Sequence, residues 1–248
     1  MSNLNLNLNL NLNNGEWQPY KGDDDSWSET LSNFPSKGYL NNISWGEHLS
    51  DMGWLCLRWE FSKSGSSKAY CQSFFKSYPF GLGILWIPDG IIGDCSYTSS
   101  LGQDLSRSLQ LKHCYIRFRD STLLNPDDYI KLLMGGWVRP KASRSAGMTM
   151  SLDISQSTEI IKANFTQSWR KTLKKSIEMP FEIVEVTDPK VITSLYLEMR
   201  AFKSLRAREI YSDIQIKSIM KSFSNSIIVL GARDREGNVV AIRGALLS

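Results

Sequence analysis

Two histidines, His48 and His113, and four cysteines, Cys56, Cys71, Cys95 and Cys114, are the residues with which this chain of 248 residues could build a nucleophile or a metal site. A Ser-His-Asp or Cys-His device needs an imidazole beside its nucleophile, so it would have to use one of these two histidines. No GxSxG turn is present to support one. His113 and Cys114 are neighbours in a predicted strand, which sends their side chains to opposite faces. The cysteines are far apart and form no CxxC, whereas a zinc site needs its ligands clustered at short spacing. Neither GxGxxG nor GxxxxGK[ST] occurs, which removes the common dinucleotide and P-loop readings. These residues point to no metal and no cofactor, and they leave the catalytic residues unidentified.

A stronger chemical signal lies in "FTQSWRKTLKKSIEMP", where Arg170, Lys171, Lys174 and Lys175 crowd together. Ile161, Phe165, Trp169, Leu173 and Ile177 recur every four residues, so the spacing predicts one helix with an apolar stripe. Ser157 suits its N-cap, Glu159 its first turn, and Pro180 its end. The four cations then fall off the stripe as two like-charged i,i+4 pairs, which repel by a few tenths of a kcal/mol each, so about 0.3 kcal/mol. Such a run is either a solvated face or an anion site where phosphates offset the repulsion.

The composition bounds what else the chain can be. Hydrophobic residues make up 42% and charged residues 22%, the balance of a globular protein with one large core or two smaller ones. No run of eighteen apolar residues suggests a membrane span, and no basic start followed by an apolar stretch suggests a secretory signal. The chain therefore reads as cytoplasmic, with reduced and mostly buried thiols. A net charge of +4 is too mild to imply nucleic acid by itself.

Residues 1–25 read as a low-complexity, disordered tail: "NLNLNLNLNLNN" has strict period two but no packing specificity. Helices are expected at 26–33 and 44–52, and strands at 54–61, 69–78 and 82–88. A helix at 101–112, a strand at 113–118, and a helix capped by Asn125 with Pro126 at its first position complete a first unit over 26–143. A second unit over 144–248 is expected to hold a strand at 147–154, the basic helix and a strand at 181–186. It continues with a helix behind Asp188, a helix at 211–223, and a hairpin turning at Gly237-Asn238. Both are α/β (α+β) arrangements. A unit ending on its hairpin would leave an apolar edge, so the second unit reads as unfinished.

The order of four segments, "LNNISWGEHLSDMGWLCLRW", "AYCQSFFKSYPFGLGILWIPDGIIGD", "MTMSLDISQSTEIIKANFTQSWRKTLKKS" and "LYLEMRAFK…ARDREGNVVAIRGALL", resembles the FemABX family over nearly the whole chain after the tail. The resemblance implies two GNAT-like acyltransferase domains side by side, the second lacking its later strand and helix. It implies an aminoacyl-tRNA donor, or acyl-CoA as the nearest alternative. The implied acceptor is a nucleotide- or lipid-linked sugar-peptide, with possible peripheral membrane contact.

Carried over residue by residue, the resemblance places Trp45 on the family's conserved-type tryptophan, with Leu49 where a phosphate-contacting lysine stands. Ile91 occupies a position where proline is common, and Arg119 the position of an acidic residue once suspected as a base, with Asp120 beside it. Arg208 falls nine residues beyond Met199, where an arginine contacts acceptor phosphate. Ser212 takes the place of a substrate-contacting tyrosine, with Tyr211 adjacent. The implied substrate contacts are therefore Arg208, Trp45, Asp120 and Tyr211, and the basic helix becomes an anion or tRNA contact through Arg170, Lys171, Lys174 and Lys175. The activity implied is aminoacyl or acyl transfer forming an amide on a cell-envelope precursor, if the chain continues past residue 248. A reading from another class is a non-catalytic basic α/β module holding nucleic acid or an anionic glycan, or an inactive fragment of such a transferase.

Overall fold

The computed structural model describes residues 15–34, 38–94, 97–119, 126–141, 152–203 and 212–247. The chain divides into two compact units. The first comprises Met1–Val138, Tyr211–Ile227 and Leu246–Ser248; the second comprises Arg139–Ile210 and Ile228–Ala245. The boundary expected after residue 143 falls after Val138, and the segment around 211–227 returns to the first unit. The expected α+β class is what forms.

The first unit is built on a six-stranded sheet: β1 (Glu16–Pro19), β2 (Leu55–Lys63), β3 (Ser66–Tyr78), β4 (Leu82–Ile87), β5 (Ile92–Gly93) and β6 (His113–Phe118). The strand order is β1-β2-β3-β4-β6, with β5 paired to β3. β2 and β3 form a hairpin whose two loop residues, Ser64 and Gly65, both have positive φ (52° and 75°). A loop of that kind matches the right-handed twist of the strands it joins. β4 and β6 are parallel, which requires a crossover, and α3 (Thr98–Ser108) supplies it.

Side-chain alternation sorts the core onto the two sheet faces. Trp59, Phe61, Ala69, Cys71, Leu85 and Ile87 lie in one cluster, into which α3 sets Leu101 and Leu105, one turn apart. Trp27 and Leu31 of α1 (Asp24–Ser32) form a second cluster with Ile92, against which Tyr20 and Tyr70 pack. α2 (Ile43–Asp51), α4 (Pro126–Met134) and α8 (Asp213–Ser222) complete the unit. Asn42 caps α2 by accepting from Trp45 N, and Ser212 with Gln215 makes a capping box at α8.

Order begins earlier than the composition indicates. Residues 16–19, expected in the tail, form β1 against β2, and Trp17 is 3% exposed within the larger cluster. Its indole donates to Tyr97 O at 3.1 Å. A single tryptophan among polar residues shows no period, so only the tertiary contact reveals the strand. Residues 1–14 of the expected tail lie outside the described residues.

The second unit holds α5 (Thr158–Asn164), α6 (Gln167–Ile177), α7 (Pro189–Lys203) and a three-stranded sheet of order β7-β8-β9. Its strands are β7 (Glu182–Glu185), β8 (Ile227–Arg233) and β9 (Val239–Leu246). Lys190 N donates to Asp188 Oδ1, the capping contact expected ahead of α7. Gly237, with φ at 89°, turns the β8–β9 connection as expected. The basic segment is not one helix but two. Phe165 leaves α5 in an extended conformation (ψ 147°), and Thr166 caps α6 by accepting from Trp169 N at 3.4 Å. A threonine hydroxyl satisfies the first free amides of a new helix, so it competes with continuation of the old one. Ile161 and Phe165 therefore leave the stripe, which retains Trp169, Leu173 and Ile177. Of the strand expected at 147–154, residues 152–154 are not in a strand and the rest lie outside the described residues.

Candidate functional site

A cleft of about 650 Å³ opens in the first unit among the start of α1, the outer face of α2, β2 and the end of α8. Asp24, Glu47, Asp51, Arg58 and Lys221 give it charge of both signs, and Cys56 lies in its wall. α2 sits close to the sheet because Gly46 has no side chain: a Cβ there would stand 3.0 Å from Cys56 Sγ.

Arg58 is the best-fixed cation in the cleft. Its guanidinium pairs with Asp24, its Nε donates to Gln72 Oε1 at 3.2 Å, and it lies 5.3 Å over the Trp27 ring. Gln72 is itself buried and fully engaged. Its Nε2 donates to Leu40 O and Asn42 O, both at 3.1 Å, and its backbone N donates to Asn41 Oδ1 at 3.3 Å. The planar fork of an arginine held in this way loses little freedom on meeting an anion.

Beneath the cleft the fold assembles a chain of polar groups that no sequence spacing announces. His48 Nδ1 lies 2.9 Å from Ser218 Oγ, and Ser218 Oγ lies 3.1 Å from Asp51 Oδ2. Lys221 Nζ reaches the same carboxylate oxygen at 3.4 Å. Serine, histidine and aspartate are present, but in the wrong order for acyl transfer through serine. Activation needs the imidazole between hydroxyl and carboxylate, and here the hydroxyl stands between the other two. His48 is 2% exposed, and burial pulls its pKa below the usual histidine value against the opposing pull of Asp51. The arrangement ties α8 to α2 and is structural.

The described thiols are equally unsuited to attack. Burial pushes Cys56 up to about 11, outweighing the Arg58 charge that lowers it, and also raises Cys71 and Cys114. Since the thiolate is the nucleophile, these cysteines stay inert at neutral pH. Among the described residues, no group of three His, Cys, Asp or Glu could hold a metal ion.

Of the residues the FemABX resemblance implied, Trp45 is described. It lies on α2, half-buried, edge-on to Tyr39 (5.7 Å) and Phe223 (6.3 Å) and 5.3 Å from the His48 ring. Its indole Nε1 is buried without a hydrogen-bond partner among the described residues. Asp120, Arg208 and Tyr211 lie outside the described residues. The departures from the family pattern have structural uses here: Leu49 and Ile91 are buried, and Ser212 serves as the α8 cap. Arg119 N donates to Ile87 O at 2.9 Å, extending the β4–β6 pairing to the residue before Asp120.

In the second unit, α6 carries all four cations of the basic run on exposed positions. Arg170 Nη1 donates to Ala163 O at 2.9 Å and thereby satisfies the end of α5. Lys171, Lys174 and Lys175 form no ion pair among the described residues. No helix of the described residues is long and apolar enough to cross a membrane.

No protein-family profile matches the chain, and no curated protein matches it by sequence. Among solved structures, one described as "Crystal structure of FemX" matches with a TM-score of 0.65 and 13% identity, covering 88% of this chain and 58% of that one. The chain thus spans less than two thirds of the FemX chain. At this identity the likeness is one of fold: the α+β arrangement described above is FemX-like.

Proposed function

We propose that this chain performs aminoacyl or acyl transfer of the FemABX kind, forming an amide on a peptidoglycan or surface-polysaccharide precursor. Its FemX-like fold is the observation that carries the reading. The donor is an aminoacyl-tRNA, with acyl-CoA as the alternative, and the acceptor is a nucleotide- or lipid-linked sugar-peptide. The setting would be the cytoplasm, where charged tRNA is found. An acceptor amine attacks the activated donor carbonyl; the carbon–nitrogen bond forms as the bond to the tRNA ribose oxygen (or the CoA sulfur) breaks, and the proton lost by the amine passes to that leaving oxygen or sulfur. The nucleophile belongs to the substrate, so the protein supplies position and stabilisation of the oxyanion. The inert thiols and the His48–Ser218–Asp51 chain, with its hydroxyl in the middle, are in keeping with such a mechanism.

Within this reading, Arg208 holds an acceptor phosphate, and Trp45, Asp120 and Tyr211 are the other substrate contacts that the resemblance implies. An arginine donates two parallel hydrogen bonds to phosphate, which lysine does not reproduce. The test is titration of a nucleotide-linked sugar-peptide against the parent, Arg208→Lys and Arg208→Ala proteins. Loss of a charge-assisted bond is worth roughly 1.5–3 kcal/mol, about ten- to a hundredfold in affinity, and both variants should show it. Equal affinity in all three proteins would remove Arg208 from the site. A parent protein that binds nucleic acid or anionic glycan without transferring any acyl group would favour the binding-module reading.

A further inference from the structure

The cleft of the first unit opens where its sheet is incomplete. β1 pairs with β2 only from Ser62 to Trp59, and Tyr20 N adds one bond to Arg58 O at 2.9 Å. Just beyond, Asp23 accepts from Ser26 N at 2.9 Å and starts α1, so the chain leaves the sheet. β2 runs on to Leu55 without a neighbour on that side among the described residues. In an antiparallel ladder, alternate residues turn both backbone groups to the same side. Arg58 faces the β1 side, so Cys56 does too, and its N–H and C=O have no backbone partner among the described residues. The cleft lies at this open edge: Tyr20, Cys56, Leu57 and Arg58 line it, and about 650 Å³ is the volume of a ligand site. Its charge is uneven. Asp24, Glu47 and Asp51 stand against Arg58 and Lys221. Arg58 engages Asp24 and Lys221 engages Asp51, which leaves Glu47, exposed on α2, without an ion pair among the described residues.

We propose that this cleft takes an extended, lysine-bearing segment of a partner protein, added as a strand antiparallel to β2 in line with β1. The residue opposite Cys56 would exchange both backbone bonds with it. Directly opposed residues share a sheet face, and Cys56 Sγ faces Gly46 of α2. A lysine opposite Cys56 therefore extends toward α2, where Glu47 lines the same cleft. Strand addition draws affinity from the main chain and selectivity from alternate side chains. A polyanion would leave the backbone edge unmet and would face the surplus carboxylate. The open edge is short and flanked by helices, which protects it from sheet-to-sheet pairing and admits a single strand. The proposal is independent of the transferase reading. Glu47 and Ser50 turn to the cleft, whereas Trp45 lies on the other side of α2 against Tyr39 and Phe223.

The test is fluorescence anisotropy of the full chain with the labelled peptide Ser-Val-Lys-Val-Ser, whose valines favour an extended form. Saturable binding is expected below about 1 mM peptide, with slower amide hydrogen exchange at Cys56 as its bond forms. Methylating the backbone nitrogen of the peptide's lysine removes the donor to Cys56 O and should weaken binding about tenfold. Glu47→Gln should weaken it about threefold at low salt and leave binding of Ser-Val-Gln-Val-Ser unchanged. Glu47 is exposed, so this variant retains the fold, which near-UV circular dichroism checks. Absence of binding by the lysine peptide overturns the proposal. So does equal binding of the methylated peptide, binding without slower exchange at Cys56, or binding indifferent to Glu47→Gln. Displacement of the labelled peptide by the nucleotide-linked sugar-peptide would give the cleft to the acceptor, and displacement by pyrophosphate would give it to an anion; either result also overturns the proposal.

Discussion

The two units solve the problem of burial to different degrees. In the first, aromatic and branched residues from both faces of a six-stranded sheet are closed over by helices, giving two clusters around Trp59 and Trp27. In the second, Val186 and Val229 are the only buried apolar residues among those described, and α5, α6 and α7 bury none. Both units have capped helices and paired strands, so local structure is equally well specified in each. The difference shows that caps and hydrogen-bond ladders shape a segment without giving it a core. Most of the free energy that resists unfolding comes from apolar burial, so it should reside in the first unit.

The sharpest way to break this contrast is to remove one tryptophan from each unit. Trp59 is 1% exposed and its indole donates to Ser73 Oγ at 2.7 Å, whereas Trp169 stands in solvent. Trp59→Ala should cost about 3–5 kcal/mol through lost transfer energy and the cavity left behind. Trp169→Ala should stay within about 0.5 kcal/mol. Urea denaturation of both variants measures the difference, and comparable losses would show that the second unit has a core of its own.

A smaller effect is expected at Gln72, where the first unit relies on polar rather than apolar satisfaction. Gln72→Ala would leave the Leu40 carbonyl and Arg58 Nε without this partner, while the Asn42 carbonyl keeps its bond from Gly46 N. Unsatisfied buried groups cost about 1–3 kcal/mol each, less where water enters, so a loss of about 2–3 kcal/mol is expected. Thermal unfolding checks it, and a change under about 0.5 kcal/mol would mean that the cleft is wet enough to replace the amide.

The smallest expected effect is pH-dependent and concerns how α8 joins α2. Burial holds the folded-state pKa of His48 below its unfolded value, so the unfolded chain binds the extra proton first. The contribution of neutral His48 is complete above the unfolded pKa, near 6.5, and is lost as pH falls through the lower folded value. As the pH falls from neutral, the parent should lose more stability than His48→Gln, whose amide does not titrate. Parallel pH profiles would show that Asp51 compensates the buried charge in full.

How much was legible in the sequence follows from how local each signal is. β6 was expected at 113–118 and is His113–Phe118, because a short apolar run between a helix and a turn is self-announcing. α4 and the β8–β9 turn were likewise readable from Pro126 and Gly237, which constrain their own backbone. The break at Phe165 was missed because the four-residue spacing runs straight through it, although Thr166 ahead of "QSW" is a capping signal that outweighed the stripe. The candidate site was less legible. The polar chain under the cleft joins His48 to Ser218 across 170 residues, and no spacing rule reaches that far.

The sequence by itself determined most of the elements and their order, the α+β class and the amphipathic character of the basic segment, since periodicity, caps and turn residues act over a few neighbours. Tertiary structure alone decided that Trp17 begins the sheet and that the segment around 211–227 belongs with the first unit. It also decided that Gln72 fixes Arg58 and that the stripe of α6 remains uncovered. Those outcomes depend on which surfaces meet, and burial between distant segments is an energy that no local pattern encodes.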